Sequence, residues 1–281
     1  MISRAHLSGV ARAMCCATMI AAAVPSVGRA QAFDHSYRDY AQLLGRHVRD
    51  GRVDYRGLVA DRATLAAVAT SFGAVEAASE RAWPREERLA FWINAYNLFT
   101  LQAIVDHYPI QAGWFTLGPR NSIRQIAGVW DRLRWRVAGR QVTLDDIEHR
   151  ILRPEFKEPR IHFAVNCASV GCPPLRSEPY RAADLDAQLD ANARSYLASP
   201  QGVRLDGRTL VVTSILKWYG DDFVERFGAD PPAGRTPTEA AILRVVAALS
   251  PPRAAALARD PSARIRFLSY DWTLNEVVPP R

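Results

Sequence analysis

From Leu89 to Val105 the chain runs for seventeen residues without a charge. Pro84 stands before this run and Pro109 after it. Proline is accepted at the start of a helix but not in its interior, so the two bracket a helix from Arg85 to Tyr108. A helix that is apolar on every side must be wrapped by the rest of the chain or by lipid. Two asparagines, one glutamine and one threonine fall inside the run, which is shorter than the roughly 20 residues that span a bilayer. A core helix fits best, and the remaining fold has to supply its wrapping. Asn94 and Asn97 stand three apart on it, on one face among Phe91, Trp92, Tyr96 and Phe99. Buried amides need partners, so these two either tie the helix to a neighbouring loop or line a pocket and bind substrate there.

Residues 1–32 have the composition of a secretory signal. Arg4, His6 and Arg12 make a basic start, Ala13 to Val27 an apolar stretch, and Ala30-Gln31-Ala32 an A-x-A cleavage signal. At fifteen residues the stretch is short for a transmembrane anchor. The expectation is a cleaved signal over 1–32 and an exported protein, periplasmic in a two-membrane bacterium, with no transmembrane anchor after signal removal. Cleavage removes three arginines and no acid, so the formal charge falls from +7 to +4. Arg132, Arg134, Arg136 and Arg140 alternate along one stretch, as a solvated face or an anion site; export argues against nucleic acid as a partner. The 249 residues from 33 to 281 suit a single domain.

Helical spacing recurs over Ser36 to Val48, Leu58 to Phe72, Ala183 to Ala198, Leu216 to Phe227 and Thr238 to Leu249. Asp50-Gly51 marks a turn. Hairpins are predicted around Ala138-Gly139-Arg140 and Asp206-Gly207, and Ile265 to Trp272 reads as a closing strand. Without regular βαβ alternation this is an α+β pattern, a helix-rich single domain around a small, mostly antiparallel sheet. Thr143 and Asp146 have the spacing of a capping box and open a helix from Leu144 to Leu152. Its stripe of Leu144, Ile147, Glu148 and Ile151 aims Glu148 at the core, where a carboxylate needs hydrogen bonds or a positive partner. His149 sits one step round, at the edge of that face.

Beyond the signal only two cysteines remain, Cys167 and Cys172. Ile161 to Cys167 alternates with period two and is predicted as a half-buried strand, running into a turn at Gly171-Cys172-Pro173-Pro174. Three chemistries fit. In an oxidising compartment the pair forms a disulfide across a short loop. Alternatively Cys167 is a nucleophile with His149 as base and Glu148 or an asparagine as orienter, a set suited to acyl transfer or amide hydrolysis. Metal binding by His162, Cys167 and Cys172 fits least, since no paired Cys-x-x-Cys spacing is present and no fourth ligand is evident. Strand parity turns His162 and Cys167 to opposite faces, which makes His149 the preferred base and leaves His162 on the substrate side.

In order along the chain stand Asp50-Gly51-Arg52-Val53-Asp54-Tyr55, Ala90-Phe91-Trp92-Ile93-Asn94-Ala95-Tyr96-Asn97, and Leu144-Asp145-Asp146-Ile147-Glu148-His149-Arg150-Ile151-Leu152-Arg153. They continue as His162 to Cys167 with Gly171-Cys172-Pro173, then Trp218-Tyr219, and finally Tyr270-Asp271-Trp272. Together these motifs resemble the family called domain of unknown function 547, found in bacteria and fused to other segments in plants. The resemblance implies no established reaction. In the family pattern the Glu-His pair and the first cysteine recur even where the second cysteine is serine and the histidine at the position of His162 is absent, which points to Cys167, His149 and Glu148 as the functional set. The expectation is a thiol-hydrolase-like or acyltransferase-like pocket with Asn94, Asn97 and His162 on its substrate side, no cofactor, and a peptide or cell-wall component as substrate. The alternative is a non-catalytic binding or scaffold module with Cys167 and Cys172 joined.

Overall fold

The computed structural model describes residues 33–111, 113 and 118–277. The signal expected over residues 1–32 lies outside them. The long helix runs from Arg85 to His107, with Glu86 and Glu87 in its first turn, where the helix dipole favours negative charge, and His107 in its last. Every residue from Leu89 to Leu101 is buried, so this helix is wrapped on all sides as the uncharged run requires. Helices Arg38–His47, Tyr55–Ala60 and Arg62–Ala74 cover one flank, and Phe72 stacks on Phe91 with ring centres 4.9 Å apart. Glu80 is fully buried below them. It accepts hydrogen bonds from Arg88 Nε (2.8 Å), Trp92 Nε1 (2.8 Å) and Arg140 Nη2 (2.9 Å). One arginine of the alternating stretch is therefore committed to an internal carboxylate.

A second apolar cluster is built from Ala193, Tyr196, Leu197, Leu210, Val212, Phe223 and the inner face of the helix Pro237–Leu249. It is backed by three strands, Val203–Asp206, Thr209–Val212 and Arg264–Phe267. The first pair is antiparallel and the second parallel, with Leu210 opposite Ile265. Helices with small two- and three-stranded sheets make this an α+β fold. Both hairpins expected on sequence form, and Asp50-Gly51 and Ala138-Gly139 have positive φ at both positions, the geometry of tight hairpin turns. Leu216 to Phe227, expected as one helix, is broken into Ser214–Trp218, a 3₁₀ turn at Gly220–Phe223 and Val224–Phe227.

The strand expected over Ile161 to Cys167 does not form. Pro159–Phe163 is a 3₁₀ turn whose first amide, that of Arg160, is capped by the Glu158 carboxylate at 3.0 Å. Period two misleads here because residues 160 to 166 are buried on every side. Ile161, Ala164 and Val165 belong to the first cluster and Phe163 to the second, so the segment is the join between the two cores. Residues 268–277 then cross back over the domain. Val53 N–H donates to Asn275 O (2.9 Å), Tyr55 Oη to Asn275 Oδ1 (2.7 Å), and Asn275 N–H to Ala168 O (3.2 Å).

Candidate functional site

Where the two cores meet, a cavity of about 280 Å³ opens to solvent. Glu148 and His149 line it from a helix that starts at the expected box: Asp146 N–H donates to Thr143 Oγ1 and Thr143 N–H to Asp146 Oδ2, both at 3.0 Å. The helix Asp146–Phe156 is wound as a π-helix, a form found most often as short bulges near functional sites. Its inward stripe is the expected one, and Glu148 is buried among Ile147, Ile151 and Leu152.

Glu148 and His149 do not pair. As neighbours on one helix they point apart, Glu148 inward and His149 to the rim. His149 Nε2 lies 3.8 Å from Asp145 Oδ1, and its Nδ1 lies 3.1 Å from Arg153 Nη1. Glu148 instead faces His162, with Oε1 3.9 Å from Nδ1. Burial, reinforced by the negative charge of Glu148, pushes the phenols of Tyr96 and Tyr219 up, so both remain O–H donors beside the carboxylate. At Asp145 burial is the first cause of a raised carboxyl, eased by the nearby His149.

His162 is the more firmly held histidine. Its buried ring lies flat on Tyr219 with centres 4.0 Å apart, and Nε2 is 2.7 Å from Asp222 Oδ2. Asp222 also accepts from Arg153 Nε (2.6 Å) and Nη2 (2.8 Å). Burial works against charge on Asp222, but the bonds from His162 and Arg153 outweigh it and hold the carboxyl well below the usual range. Among the described residues His162 Nδ1 has no hydrogen-bond partner. The parity argument that turned His162 from Cys167 fails with the strand it assumed, since both residues line the same cavity.

The sulfurs of Cys167 and Cys172 lie at bonding distance and form a disulfide on the cavity wall. Cys167 N–H points at Cys172 Sγ (2.9 Å), and Tyr270 Oη is 3.1 Å from each sulfur. Among the described residues no group of three or more His, Cys, Asp or Glu side chains is arranged to hold a metal ion.

Asn94 and Asn97, expected as pocket amides, are spent on backbone. Asn94 donates to Tyr180 O (2.8 Å) and accepts from Tyr180 N–H (2.9 Å). Asn97 donates to Ala164 O (3.0 Å) and accepts from Asn166 N–H (2.8 Å). Neither lines the cavity, though Asn97 fixes the cysteine loop that does. The cavity walls bring in residues that carried no assigned role in the sequence: Trp130, Trp218, Tyr219, Tyr270 and Trp272, with Asp222 behind His162. The rings are contiguous, with Tyr270 4.6 Å from Trp272 and 4.8 Å from Trp218, which is half exposed. Aromatic residues gathered in Trp218-Tyr219 and Tyr270 to Trp272 were the one signal available. Asp222 had none, lying 60 positions from its partner.

Fold and site together define an α+β domain with an aromatic-walled cleft lined by both a disulfide and a carboxylate-held histidine. Residues 80–197 match the model of the family described as "Protein of unknown function, DUF547", and this segment is similar to that family. The match includes Glu148, His149, His162 and both cysteines but stops short of Trp218, Asp222 and Tyr270. No curated protein and no solved structure matches the chain. Among the described residues no helix is long and apolar enough to cross a membrane.

Proposed function

We propose that the protein is an exported ligand-binding module whose aromatic cleft holds a peptide-like or cell-wall amide. The observation that supports this reading is the joined Cys167–Cys172 pair: in that state neither sulfur is a thiolate, and only a thiolate is a nucleophile. Three tryptophans and three tyrosines offer flat apolar faces, while Glu148 and His149 offer hydrogen-bonding edges, the mixture that binds small ligands with both characters. Export rests on the signal-like composition of residues 1–32. Intact mass with and without reductant, iodoacetamide labelling and quenching of tryptophan fluorescence by peptidoglycan fragments test the reading. The expected result is an unlabelled chain, a mass gain on reduction and saturable quenching. Stoichiometric labelling of Cys167 without reductant, together with amide hydrolysis lost in Cys167→Ala, would overturn it.

A second reading, a thiol hydrolase or acyltransferase, is favoured by His162. It is oriented by Asp222 and lines the same cavity as Cys167. In a reduced chain Cys167 would attack the acyl carbon while an imidazole of the cleft took its proton. Amide hydrolysis that requires reductant, and that both Cys167→Ala and His162→Gln abolish, selects this reading over binding alone.

A further inference from the structure

The cysteine loop is held by hydrogen bonds as well as by the sulfur–sulfur bond. Asn97 grips Ala164 and Asn166 at its start. Inside it, Asn166 Oδ1 accepts from Ala168 N–H (2.9 Å) and Asn166 Nδ2 donates to Pro173 O (2.7 Å). Outside it, Val170 and Gly171 N–H donate to Thr273 O and Asp271 O, both at 2.8 Å. The disulfide closes a loop that hydrogen bonds already close on both flanks, so opening it leaves two sulfurs poised near each other.

The two sulfurs differ. Cys172 is buried, whereas Cys167 is half-buried at the cleft. The Cys167 N–H points at Cys172 Sγ (2.9 Å), while the Tyr270 hydroxyl is 3.1 Å from each sulfur and the Ser169 hydroxyl is 3.5 Å from Cys172 Sγ and 3.4 Å from Cys167 Sγ. Ser169 Oγ is also 3.1 Å from Tyr270 Oη, so Ser169 can donate to Tyr270 while Tyr270 donates to sulfur. Burial pushes the Tyr270 phenol up and keeps its proton in place. The charge of Glu148 acts on Tyr270 too and opposes a thiolate beside it, but the N–H and O–H donors stand at contact distance. The N–H aimed at Cys172 Sγ, with the Tyr270 hydroxyl beside it, stabilises that sulfur as an anion, and a stabilised thiolate is the better leaving group.

We propose that Cys167–Cys172 is an exchange-active disulfide that oxidises thiols, with Cys167 Sγ as the attacked sulfur and Cys172 Sγ as the leaving thiolate. A thiolate RS⁻ enters the cleft and attacks Cys167 Sγ. The RS–Sγ bond forms, the Cys167–Cys172 bond breaks, and its electron pair leaves on Cys172 Sγ, where the Cys167 N–H and the Tyr270 hydroxyl receive it. A second RS⁻ then attacks the R sulfur of the mixed disulfide. RS–SR departs, and Cys167 leaves as a thiolate that takes a proton from water. Two thiols are oxidised to one disulfide and the protein disulfide is reduced to a dithiol. This step goes beyond the binding reading and does not depend on it.

The test equilibrates the full chain in buffers of reduced and oxidised glutathione, without denaturant, and counts trapped thiols by mass. The pair is expected to pass through one two-electron transition, with transient glutathione adducts mapping to Cys167. Tyr270→Phe should favour the disulfide by about tenfold, a potential lower by about 30 mV, and slow its opening. Ser169→Ala should shift it the same way by less, and it carries the test if Tyr270→Phe misfolds. In Cys167→Ser, the Cys172 thiol should titrate below the ordinary value of about 8.5, and Ser169→Ala or Tyr270→Phe in that background should raise it. A pair that glutathione opens only in denaturant overturns the proposal. So do adducts on Cys172, or a Cys172 thiol that titrates at or above about 8.5.

Discussion

Asp222→Asn separates the ionic account of the histidine wall from a purely steric one. The substitution keeps size and shape but removes the charge that receives three short hydrogen bonds, one from His162 and two from Arg153. An asparagine can accept from one of these partners, yet its amide must turn N–H groups toward the other. Each hydrogen bond to a charged group contributes roughly 1.5–3 kcal/mol. Asp222 and Arg153 keep a quarter and a third of their side-chain surface in water, which weakens that sum. A net loss of about 2–3 kcal/mol at neutral pH is expected after that discount. Urea unfolding should show it as a lower midpoint with an unchanged slope. The effect also has a pH signature. Because folding depresses this carboxyl, its contribution is fully present above the unfolded value of about 3.9 and is lost as pH falls toward the lower folded value. The gap between wild type and Asp222→Asn should therefore hold from pH 7 to about pH 4 and narrow below it. A gap under about 0.5 kcal/mol at pH 7, or one that stays constant down to pH 2.5, would refute the ionic account.

Asn97→Ala removes both bonds that pin the cysteine loop to the long helix; about 2–3 kcal/mol of stability should go, with faster hydrogen exchange at the Asn166 amide. Gly51→Ala should cost at least about 1–2 kcal/mol in thermal unfolding, because Gly51 has φ +77° and an added Cβ would stand 2.5 Å from Pro174 Cβ. Trp218→Ala should leave the urea midpoint nearly unchanged, since the ring is 48% exposed, while abolishing most ligand-induced fluorescence quenching.

The parts of the fold that could be read from sequence are those whose signals are local. The uncharged run of the long helix, the Thr143–Asp146 box and the Asp50-Gly51 turn each carry their cause within a few residues, and each formed where expected. The inward direction of Glu148 was legible for the same reason. Its partner was not: the nearest histidine in sequence, His149, lies at the rim, while His162 comes from a segment whose buried run mimics a strand. Asn94 and Asn97 were correctly expected to need partners, but the choice between loop and pocket depends on Tyr180 and Ala164, 86 and 67 positions away. The helix Asp146–Phe156 is π-wound, and no spacing in its sequence announces that. The aromatic wall comes from four separated stretches, each an ordinary apolar segment on its own.

The strand-like tail that brings Asn275 against Val53 and Tyr55 has a consequence for the order in which the protein assembles. During synthesis the cysteine loop leaves the ribosome about a hundred residues before Tyr270, the hydroxyl that covers its sulfurs. Contacts of such separation carry a high loop-closure cost and form late. The two cores have their own apolar clusters, but the cleft between them has one wall missing until the tail arrives. Residues 268–277 behave as a clasp, and a single proteolytic cut there would unroof the sulfurs while sparing most of both cores.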